Sequence, residues 1–283
     1  MNFRCASAIG LTLLSVLFQF LASAGGSVSA MPIGSAQPPS RVLVAIGGGD
    51  RTPVIISKIR DISTATFGES NVLMIAWASE EPTAMLEAVS RDLKLGGLVD
   101  LTSAPLTAQL TPAQVNSMIE AIRRAQIIFF TGGDQSQLMS ALNSNPSIVS
   151  EIQAAYVAGK IMVGTSAGTA FMSHVMLTGQ GAEDEISANS VETIDGFGFV
   201  TQCVFDQHFL KRQRQNRMLS VLLKNPTLTG VGIDEATAVI LRNEHQAEVI
   251  GRSWVSVFRQ NGQASTRASF ELTLFKSSER FDL

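Results

Sequence analysis

The sequence predicts an α/β fold: a doubly wound, mostly parallel sheet with an antiparallel extension at its C-terminal end. Apolar runs rich in β-branched residues recur along the chain, and segments with helical periodicity separate them. The runs lack polar alternation, which is typical of parallel strands buried on both faces. Glycine-rich turns follow three runs, at Gly47–Gly49, Gly132–Gly133 and Gly164–Gly168. Because ligands bind beyond the carboxyl ends of such strands, these turns are expected to converge on one site.

Each element has its own signal along the chain. The predicted strands of the parallel part are Arg41–Ile46, Val72–Trp77, Leu98–Leu101, Gln126–Phe130 and Lys160–Val163. The clearest helix begins at Thr111, where Thr111 and Gln114 form a capping box around Pro112. Shorter runs after Lys224 predict the antiparallel extension: Thr229–Asp234, Ala236–Arg242, Gln246–Gly251 and Trp254–Phe258. Asn243-Glu244-His245 is expected to form a hairpin turn.

The first thirty residues are predicted to be a secretory signal peptide. Arg4 supplies the positive start, Ile9–Leu21 is almost entirely apolar, and the small-residue sites Ala22-Ser23-Ala24 and Val28-Ser29-Ala30 follow. The apolar run is shorter than the roughly 20 residues that span a bilayer, so no stable membrane anchor is expected. The segments are therefore a signal peptide over 1–30, a linker over 31–40 and a single domain over 41–283. The protein is expected to be secreted or periplasmic.

The amino-acid composition limits the kinds of partner that the chain is expected to bind. The formal net charge is −3, and no long basic run is present, which argues against a nucleic-acid partner. Cys5 lies in the predicted signal peptide, so the mature chain keeps only Cys203 and forms no intrachain disulfide. Cysteine spacing indicates no metal site, and no cofactor is expected. The oligomeric state is open, and a homodimer is one of the states that the sequence allows.

Gly164-Thr165-Ser166-Ala167-Gly168 is the most informative motif. It follows the apolar run Ile161–Val163 and precedes what is predicted to be a helix, which makes it a G-x-S-x-G nucleophile elbow. The glycines permit a tight turn, and the serine oxygen stands clear of the backbone to attack a carbonyl carbon. The following helix would direct its N–H groups at the developing oxyanion. The alternative is an ordinary turn of small residues with an N-cap serine.

A serine nucleophile needs a base, and the chain has three histidines. His174 is expected about two turns along the helix after Ser166, pointing away from it, and His245 lies in the predicted hairpin turn. His208 follows the apolar run Val200–Phe205, at the carboxyl end of a predicted strand, and is the favoured base.

The acid that orients the base is open at this point. Asp206 is too near His208 in sequence to orient it easily. Glu183, Asp184 and Glu185 would give the order Ser-acid-His of α/β-hydrolases. Glu235 follows the strand-like run Val231–Ile233 and would give the order Ser-His-Glu; a strand end places an acid better than a polar loop does.

Together, four motifs in register resemble the cyanophycinase family, within the serine-peptidase group that also holds aspartyl dipeptidase. They are Phe130–Gln135, Gly164–Gly168, Asp206–Phe209 with Arg212, Arg214 and Arg217, and Gly232–Ala238. Val44–Gly49 matches as well, so the resemblance covers nearly all of the mature chain. It implies a fold like the class I glutamine amidotransferases, with Ser166 as nucleophile, His208 as base and Glu235 as orienting acid. It also places oxyanion donors at the backbone of Gly133 and Ala167.

The resemblance further implies a set of substrate-binding residues: Gln135, Asp206, Gln207, Arg212, Arg214 and Arg217. Cyanophycin is a poly-aspartate chain with arginine joined to each β-carboxyl, and arginine forks bind carboxylates bidentately. The alternative for the arginine cluster is a solvated face of a helix predicted over Phe209–Lys224. On that helix Arg214 and Arg217 would act together, and Arg212 would point elsewhere.

The leading interpretation is a secreted serine exopeptidase that releases β-aspartyl-arginine dipeptides from cyanophycin. The nearest rival is an aspartyl or isoaspartyl dipeptidase on the same scaffold, acting on short β-aspartyl peptides. An α/β-hydrolase esterase would need the acids at 183–185, and a non-catalytic module that binds acidic peptides would leave three filled triad positions unused. Two departures leave the substrate open: Trp77–Pro82 matches the family loosely, and Thr169 stands where alanine is usual.

Overall fold

The structure is a computed structural model that describes residues 39–181, 184–264 and 267–283. The predicted signal peptide, residues 31–38 of the predicted linker, and Glu183 lie outside the described residues. The strands are β1 Val42–Ile46, β2 Val72–Ile75, β3 Leu101–Ser103, β4 Ile127–Phe130, β5 Ile161–Thr165, β6 Val175–Gly181, β7 Val191–Asp195, β8 Cys203–Gln207, β9 Thr229–Ile233, β10 Thr237–Arg242, β11 Gln246–Gly251, β12 Val255–Ala264, β13 Arg267–Phe275 and β14 Arg280–Asp282. The helices are α1 Pro53–Phe67, α2 Pro82–Leu95, α3 Pro112–Arg124, α4 Gln135–Asn143, α5 Pro146–Val157, α6 Ala167–Ala170 and α7 Gln215–Lys224.

The central sheet has eight strands in the order β14-β11-β10-β1-β5-β4-β2-β3. The five strands β1, β5, β4, β2 and β3 run parallel, and β10, β11 and β14 extend the sheet in antiparallel pairing. This confirms the predicted fold class of a mostly parallel sheet with an antiparallel extension. The turn at 243–245 joins β10 to β11 as the sequence predicts, with Asn243 and Glu244 at positive φ.

Two hydrophobic cores explain why the parallel strands carry no polar alternation. In β1, Val42, Val44 and Ile46 face the core built by α1 and α2, whereas Leu43 and Ala45 face the core built by α3, α4 and α5. Successive side chains point to opposite faces of a strand, so a strand covered on both sides needs apolar residues at every position.

A second sheet of four strands, in the order β13-β12-β9-β8, packs on the core of α3, α4 and α5. Its strands β8 and β9 are parallel to each other, and their carboxyl ends carry His208 and Glu235. Phe205 of β8 and Ile233 of β9 are fully buried in the shared core. Side-chain packing therefore sets the position of this sheet against the central one.

Three of the predicted elements have clearly different bounds in the structure. Leu101 is the only residue of the predicted strand Leu98–Leu101 that lies in β3; Leu98 is buried in the turn after α2 instead. The predicted helix over Phe209–Lys224 begins only at Gln215, because the chain turns through positive φ at His208 and Gln213. The helix after Ser166 is a single turn, α6, so His174 lies beyond it rather than on it.

Thr111 and Gln114 form the predicted capping box of α3: the Gln114 N–H donates to Thr111 Oγ1, and the Thr111 N–H donates to Gln114 Oε1. Cys203 is a buried free thiol whose pKa burial raises. In the part of the chain that the structure describes, none of the helices is long and apolar enough to cross a membrane. Over the same residues, no group of three or more His, Cys, Asp or Glu side chains is arranged to hold a metal ion.

Candidate active site

The nucleophile elbow forms where β5 ends. Ser166 has φ 54° and ψ −115°, a conformation that costs on the order of 1–3 kcal/mol for a non-glycine residue. The flanking glycines permit close packing of the backbone: a Cβ on Gly164 would lie 1.7 Å from the Gly168 carbonyl oxygen. A Cβ on Gly168 would lie 2.2 Å from the Phe130 carbonyl oxygen. The G-x-S-x-G pattern is therefore required by the packing of the turn.

Thr169, where alanine is usual in the resembled family, fastens this elbow to β1. Its hydroxyl lies 2.7 Å from the carbonyl oxygen of Ile46 and 2.9 Å from that of Gly164. The Ser166 N–H donates to the same Ile46 oxygen at 3.1 Å. The threonine hydroxyl thus adds hydrogen bonding at the carboxyl ends of β1 and β5, a role that the sequence pattern alone does not predict.

His208 connects the elbow to Glu235. Ser166 Oγ lies 2.8 Å from His208 Nε2, and His208 Nδ1 lies 2.7 Å from Glu235 Oε1. The bond to Glu235 assigns the proton to Nδ1, which leaves Nε2 to accept from the serine hydroxyl. The structure brings the three predicted catalytic residues into one chain of hydrogen bonds.

Electrostatics favour the neutral imidazole. Burial lowers the pKa of His208, and the positive charges of Arg212 and Arg214 act in the same direction, whereas the hydrogen bond and charge of Glu235 oppose them. The net shift is downward from the ordinary value of 6.5. A neutral imidazole accepts a proton, which is the form that a general base requires.

The other candidate bases and acids do not join this chain. His174 and His245 are exposed, as are Asp184 and Glu185 in the loop between β6 and β7. Glu183 lies outside the described residues. Among the described carboxylates, Glu235 is the one that hydrogen-bonds to His208.

The three glycine turns meet at this site, as the sequence predicts. Gly48 has φ +100°, and a Cβ there would lie 2.3 Å from Cε1 of the His208 ring. A Cβ on Gly132 would lie 3.3 Å from Cβ of Ser166, and one on Gly133 would lie 1.9 Å from the Ala78 carbonyl oxygen. The packing of Gly48 on the imidazole was not predicted from the sequence, where its signal is the run of three glycines.

Two backbone donors stand beside the serine. Across the described ranges, the N–H groups of Gly133 and Ala167, the predicted oxyanion donors, have no hydrogen-bond acceptor. Because α6 has only four residues, its dipole contributes less than the longer helix expected from sequence, and the two N–H groups themselves are the available donors.

The arginine cluster divides into a buried part and an exposed part. Asp206 is 1% exposed, and Arg217 binds it with two parallel hydrogen bonds, of which Nε to Oδ2 measures 2.7 Å. Arg214 donates to the carbonyl and side-chain oxygens of Gln207, at 2.6 and 2.5 Å. These four residues form the Asp206–Arg217 cluster, and two of them, Asp206 and Gln207, immediately precede His208 in the chain.

Arg212 lies apart from that cluster and is exposed, in the turn between β8 and α7. Its backbone N–H donates to the carbonyl oxygen of His208 at 2.9 Å, and its positive charge lowers the pKa of His208. Gln135, the remaining predicted substrate-binding residue, is buried and donates through Nε2 to the carbonyl oxygen of Leu177 in β6 at 2.8 Å.

The chain is similar to known peptidases. The profile of Peptidase family S51 matches residues 43–249. The cyanophycinase of Geminocystis herdmanii (strain PCC 6308) is 31% identical over 194 residues, which cover 68% of this chain and 70% of that protein. The cyanophycinase of Trichormus variabilis (strain ATCC 29413 / PCC 7937) is 29% identical over 206 residues, covering 70% and 68%.

Among solved structures, a peptidase from an acI-B1 Actinobacterium superposes with a TM-score of 0.66 at 20% sequence identity. The superposition covers 87% of this chain and 99% of the other. At this identity the likeness shows a shared fold.

Proposed function

Because the chain belongs to peptidase family S51 and is a cyanophycinase-like, serine-type peptidase, we propose that it hydrolyses cyanophycin to β-aspartyl-arginine dipeptides. The observation that carries the proposal is the hydrogen-bond chain from Ser166 through His208 to Glu235, at 2.8 and 2.7 Å. An aspartyl or isoaspartyl dipeptidase would use the same three residues, so the two activities differ in substrate and not in mechanism.

In the proposed mechanism, Ser166 Oγ attacks the scissile carbonyl carbon while its proton passes to His208 Nε2. Glu235 accepts the Nδ1–H bond and stabilises the imidazolium that forms. The N–H groups of Gly133 and Ala167 donate to the oxyanion of the tetrahedral intermediate. When that intermediate collapses, the imidazolium protonates the leaving amine and an acyl-enzyme ester remains. Water then attacks the ester, with His208 again taking a proton, and regenerates the serine.

The arginines are proposed to have two roles. Arg217, which donates two hydrogen bonds to the buried carboxylate of Asp206, braces the turn that presents His208. Arg214 holds Gln207 in the same turn. Arg212 is exposed beside the imidazole and is proposed to bind a substrate carboxylate, for which a guanidinium fork is suited. Gln135, Asp206 and Gln207 then support the site from within.

Export is proposed from residues 1–30, whose charged start, apolar run and small-residue sites have the composition of a signal peptide. Expression of the whole chain in a bacterium, followed by mass analysis of the N-terminus in each cell fraction, tests it. Cleavage after Ala24 or Ala30 in the periplasm or medium is expected; an uncleaved cytosolic chain would contradict export.

The activity is tested with residues 31–283, as wild type, Ser166→Ala and the control Ser140→Ala, whose exposed serine lies on α4. Wild type and the control should clear a cyanophycin suspension and release β-aspartyl-arginine, whereas Ser166→Ala should lose activity by orders of magnitude. Hydrolysis of short β-aspartyl peptides without clearing would identify the dipeptidase instead. Unchanged activity of Ser166→Ala on both substrates would disprove the serine mechanism.

A further inference from the structure

Asp234, which directly precedes the proposed catalytic acid Glu235, holds two neighbouring turns with its carboxylate. Its Oδ1 accepts the backbone N–H of Lys211 at 2.9 Å, in the turn that follows His208. Its Oδ2 accepts the hydroxyl of Ser253 at 2.6 Å, in the turn between β11 and β12. The carboxylate of Asp234 therefore joins the turn of the base to the turn of the acid, independently of the bond between the imidazole and Glu235.

The two joined turns have backbone conformations that need support. His208 has φ 50° and Ala236 has φ 54°, and neither is a glycine. Non-glycine residues of this kind persist only where the surrounding structure holds them in place. The His208 N–H donates to the carbonyl oxygen of Gly47 at 2.7 Å, and the Ala236 N–H donates to that of Gly48 at 2.9 Å. These bonds hold each turn to the end of β1, and Asp234 holds the turns to each other.

The turn between β11 and β12 supports the acid from its other end as well. Thr237 is fully buried, and its hydroxyl donates to the carbonyl oxygen of Glu235 at 3.2 Å and accepts the Ser253 N–H at 2.8 Å. Ser253 thus bonds to the residue before Glu235 and to the second residue after it. Because the Glu235 side chain is 33% exposed, surrounding side chains hold it only in part, and its direction depends on this backbone.

The position of Asp234 separates it from the reacting atoms. Both of its carboxylate oxygens already accept a hydrogen bond within these turns. Among the described residues, the ring nitrogens of His208 bond to Ser166 and Glu235, and Asp234 makes neither a hydrogen bond nor an ion pair with the imidazole. Any effect of Asp234 on catalysis must therefore pass through the placement of His208 and Glu235.

We propose that Asp234 is a positioning residue of the candidate active site, with Ser253 as its partner. Its carboxylate keeps the His208 turn and the Glu235 turn aligned, so that Nδ1 of the imidazole meets Oε1 of the acid and Nε2 faces the serine. The inference rests on the proposed function for the roles of His208 and Glu235. Without this carboxylate the three reacting residues remain but lose their alignment, and a displacement of about 1 Å costs roughly 100-fold in rate.

The kinetic test compares Asp234→Ala with Asp234→Asn. Alanine removes both acceptors, whereas asparagine keeps an oxygen for the Lys211 N–H and has an amide that donates to the Ser253 hydroxyl. With a β-aspartyl substrate, we expect Asp234→Ala to lower kcat about 10- to 100-fold and to leave KM within about threefold of wild type. Asp234→Asn should restore kcat to within about threefold of wild type. Wild-type kcat in Asp234→Ala, or an equal loss in Asp234→Asn, would overturn the proposal.

Two further variants accompany this pair. Glu151→Ala removes a carboxylate that hydrogen-bonds to Arg123, between α3 and α5 and outside these turns; it is the control and should leave kcat unchanged. Ser253→Ala removes one of the two bonds of Asp234 and should lower kcat less than Asp234→Ala does. Thermal unfolding checks the folding of each variant. If Asp234→Ala does not fold, Ser253→Ala decides, and wild-type kcat in that variant would contradict the proposal.

A spectroscopic readout needs no substrate. The Nδ1–H proton of His208, bonded to a carboxylate, should give a far-downfield signal in the proton NMR spectrum, which is assigned by its absence from His208→Gln. The signal should move upfield or broaden in Asp234→Ala and stay in place in Asp234→Asn and Glu151→Ala. An unchanged signal in Asp234→Ala would refute the positioning role. If the wild type shows the signal but hydrolyses no β-aspartyl substrate, the proposed function fails, and the signal still decides the role of Asp234.

Discussion

The hydrogen bond between Glu235 and His208 is important for catalysis, although Glu235 is partly exposed. The Glu235 side chain is 33% exposed and that of His208 9%, yet the bond between them fixes which nitrogen of the imidazole faces Ser166. Glu235→Gln preserves the shape but lets the amide donate to Nδ1, which favours the wrong tautomer. We expect a loss in kcat of about 10⁴-fold on any substrate of the enzyme.

Asp184→Asn and Glu185→Gln are the matched controls, because both acids are exposed in the β6–β7 loop and neither contacts His208. Steady-state kinetics of the three variants should rank Glu235→Gln far below the other two. The reverse ranking would favour the acid order of an α/β-hydrolase.

The pH dependence of activity follows from the environment of His208. Since burial and two neighbouring arginines lower its pKa below 6.5, the neutral base persists below that pH. Activity is lost only as pH falls through the lowered pKa, so the acid limb of kcat/KM should lie below pH 6.5. Arg212→Gln removes one of the lowering charges and should move the limb to higher pH.

Lys211→Gln, an exposed neighbour that does not contribute to the shift of His208, is the control and should leave the limb in place. The comparison is made on full profiles of kcat/KM against pH. A limb that stays fixed, or moves to lower pH, in Arg212→Gln would show that another group controls the acid side.

At the scale of elements, the turn Gly47–Gly49 acts as a cover over the imidazole. Gly48→Ala would place a methyl group against the His208 ring, whereas Gly68→Ala, also at positive φ, meets nothing within 4 Å. Both variants should lose comparable backbone stability, since both need a left-handed conformation. Only Gly48→Ala should lose activity, by about 100-fold, because it displaces the base. Thermal unfolding and kinetics of the pair separate the two effects, and equal activity would contradict this role of Gly48.

Helices and strands whose own residues carry a strong pattern could be predicted from the sequence. The strands of the parallel sheet are apolar at every position because two cores use alternate residues, and α3 carries its start signal in Thr111 and Gln114. The late start of α7 was not predictable from periodicity, because the left-handed residues His208 and Gln213 carry no sequence signal of the kind that glycine gives.

The pairing of strands that are distant in the sequence could not be predicted either. The strand-like runs of the C-terminal extension divide between two sheets, with β10 beside β1 and β9 beside β8. The local sequence pattern of a strand does not determine which of the two sheets it joins. In the candidate site, His208 and Glu235 could be predicted because each follows the end of a strand. The buried pair of Asp206 and Arg217 could not be predicted, because it forms across a turn where the sequence predicts a helix.

At the scale of the whole molecule, the hydrogen-bond chain crosses from one sheet to the other. Ser166 ends β5 of the eight-stranded sheet, and His208 and Glu235 follow β8 and β9 of the four-stranded sheet. Apolar side chains such as Phe205 and Ile233 hold the two sheets together. Hydrogen bonds keep their donor–acceptor distance within about 2.7–3.2 Å, and proteins open locally at a lower free energy than they unfold globally.

The catalytic rate should therefore depend on how closely the two sheets stay aligned. On gradual heating, we expect the enzyme to become inactive several degrees before its far-ultraviolet circular dichroism changes, and to recover on cooling from that interval. Rates measured at each temperature, beside the spectrum of the same sample, make the comparison. If activity and circular dichroism are instead lost at the same temperature, the two sheets unfold together. The alignment of the catalytic residues would then be as stable as the fold itself.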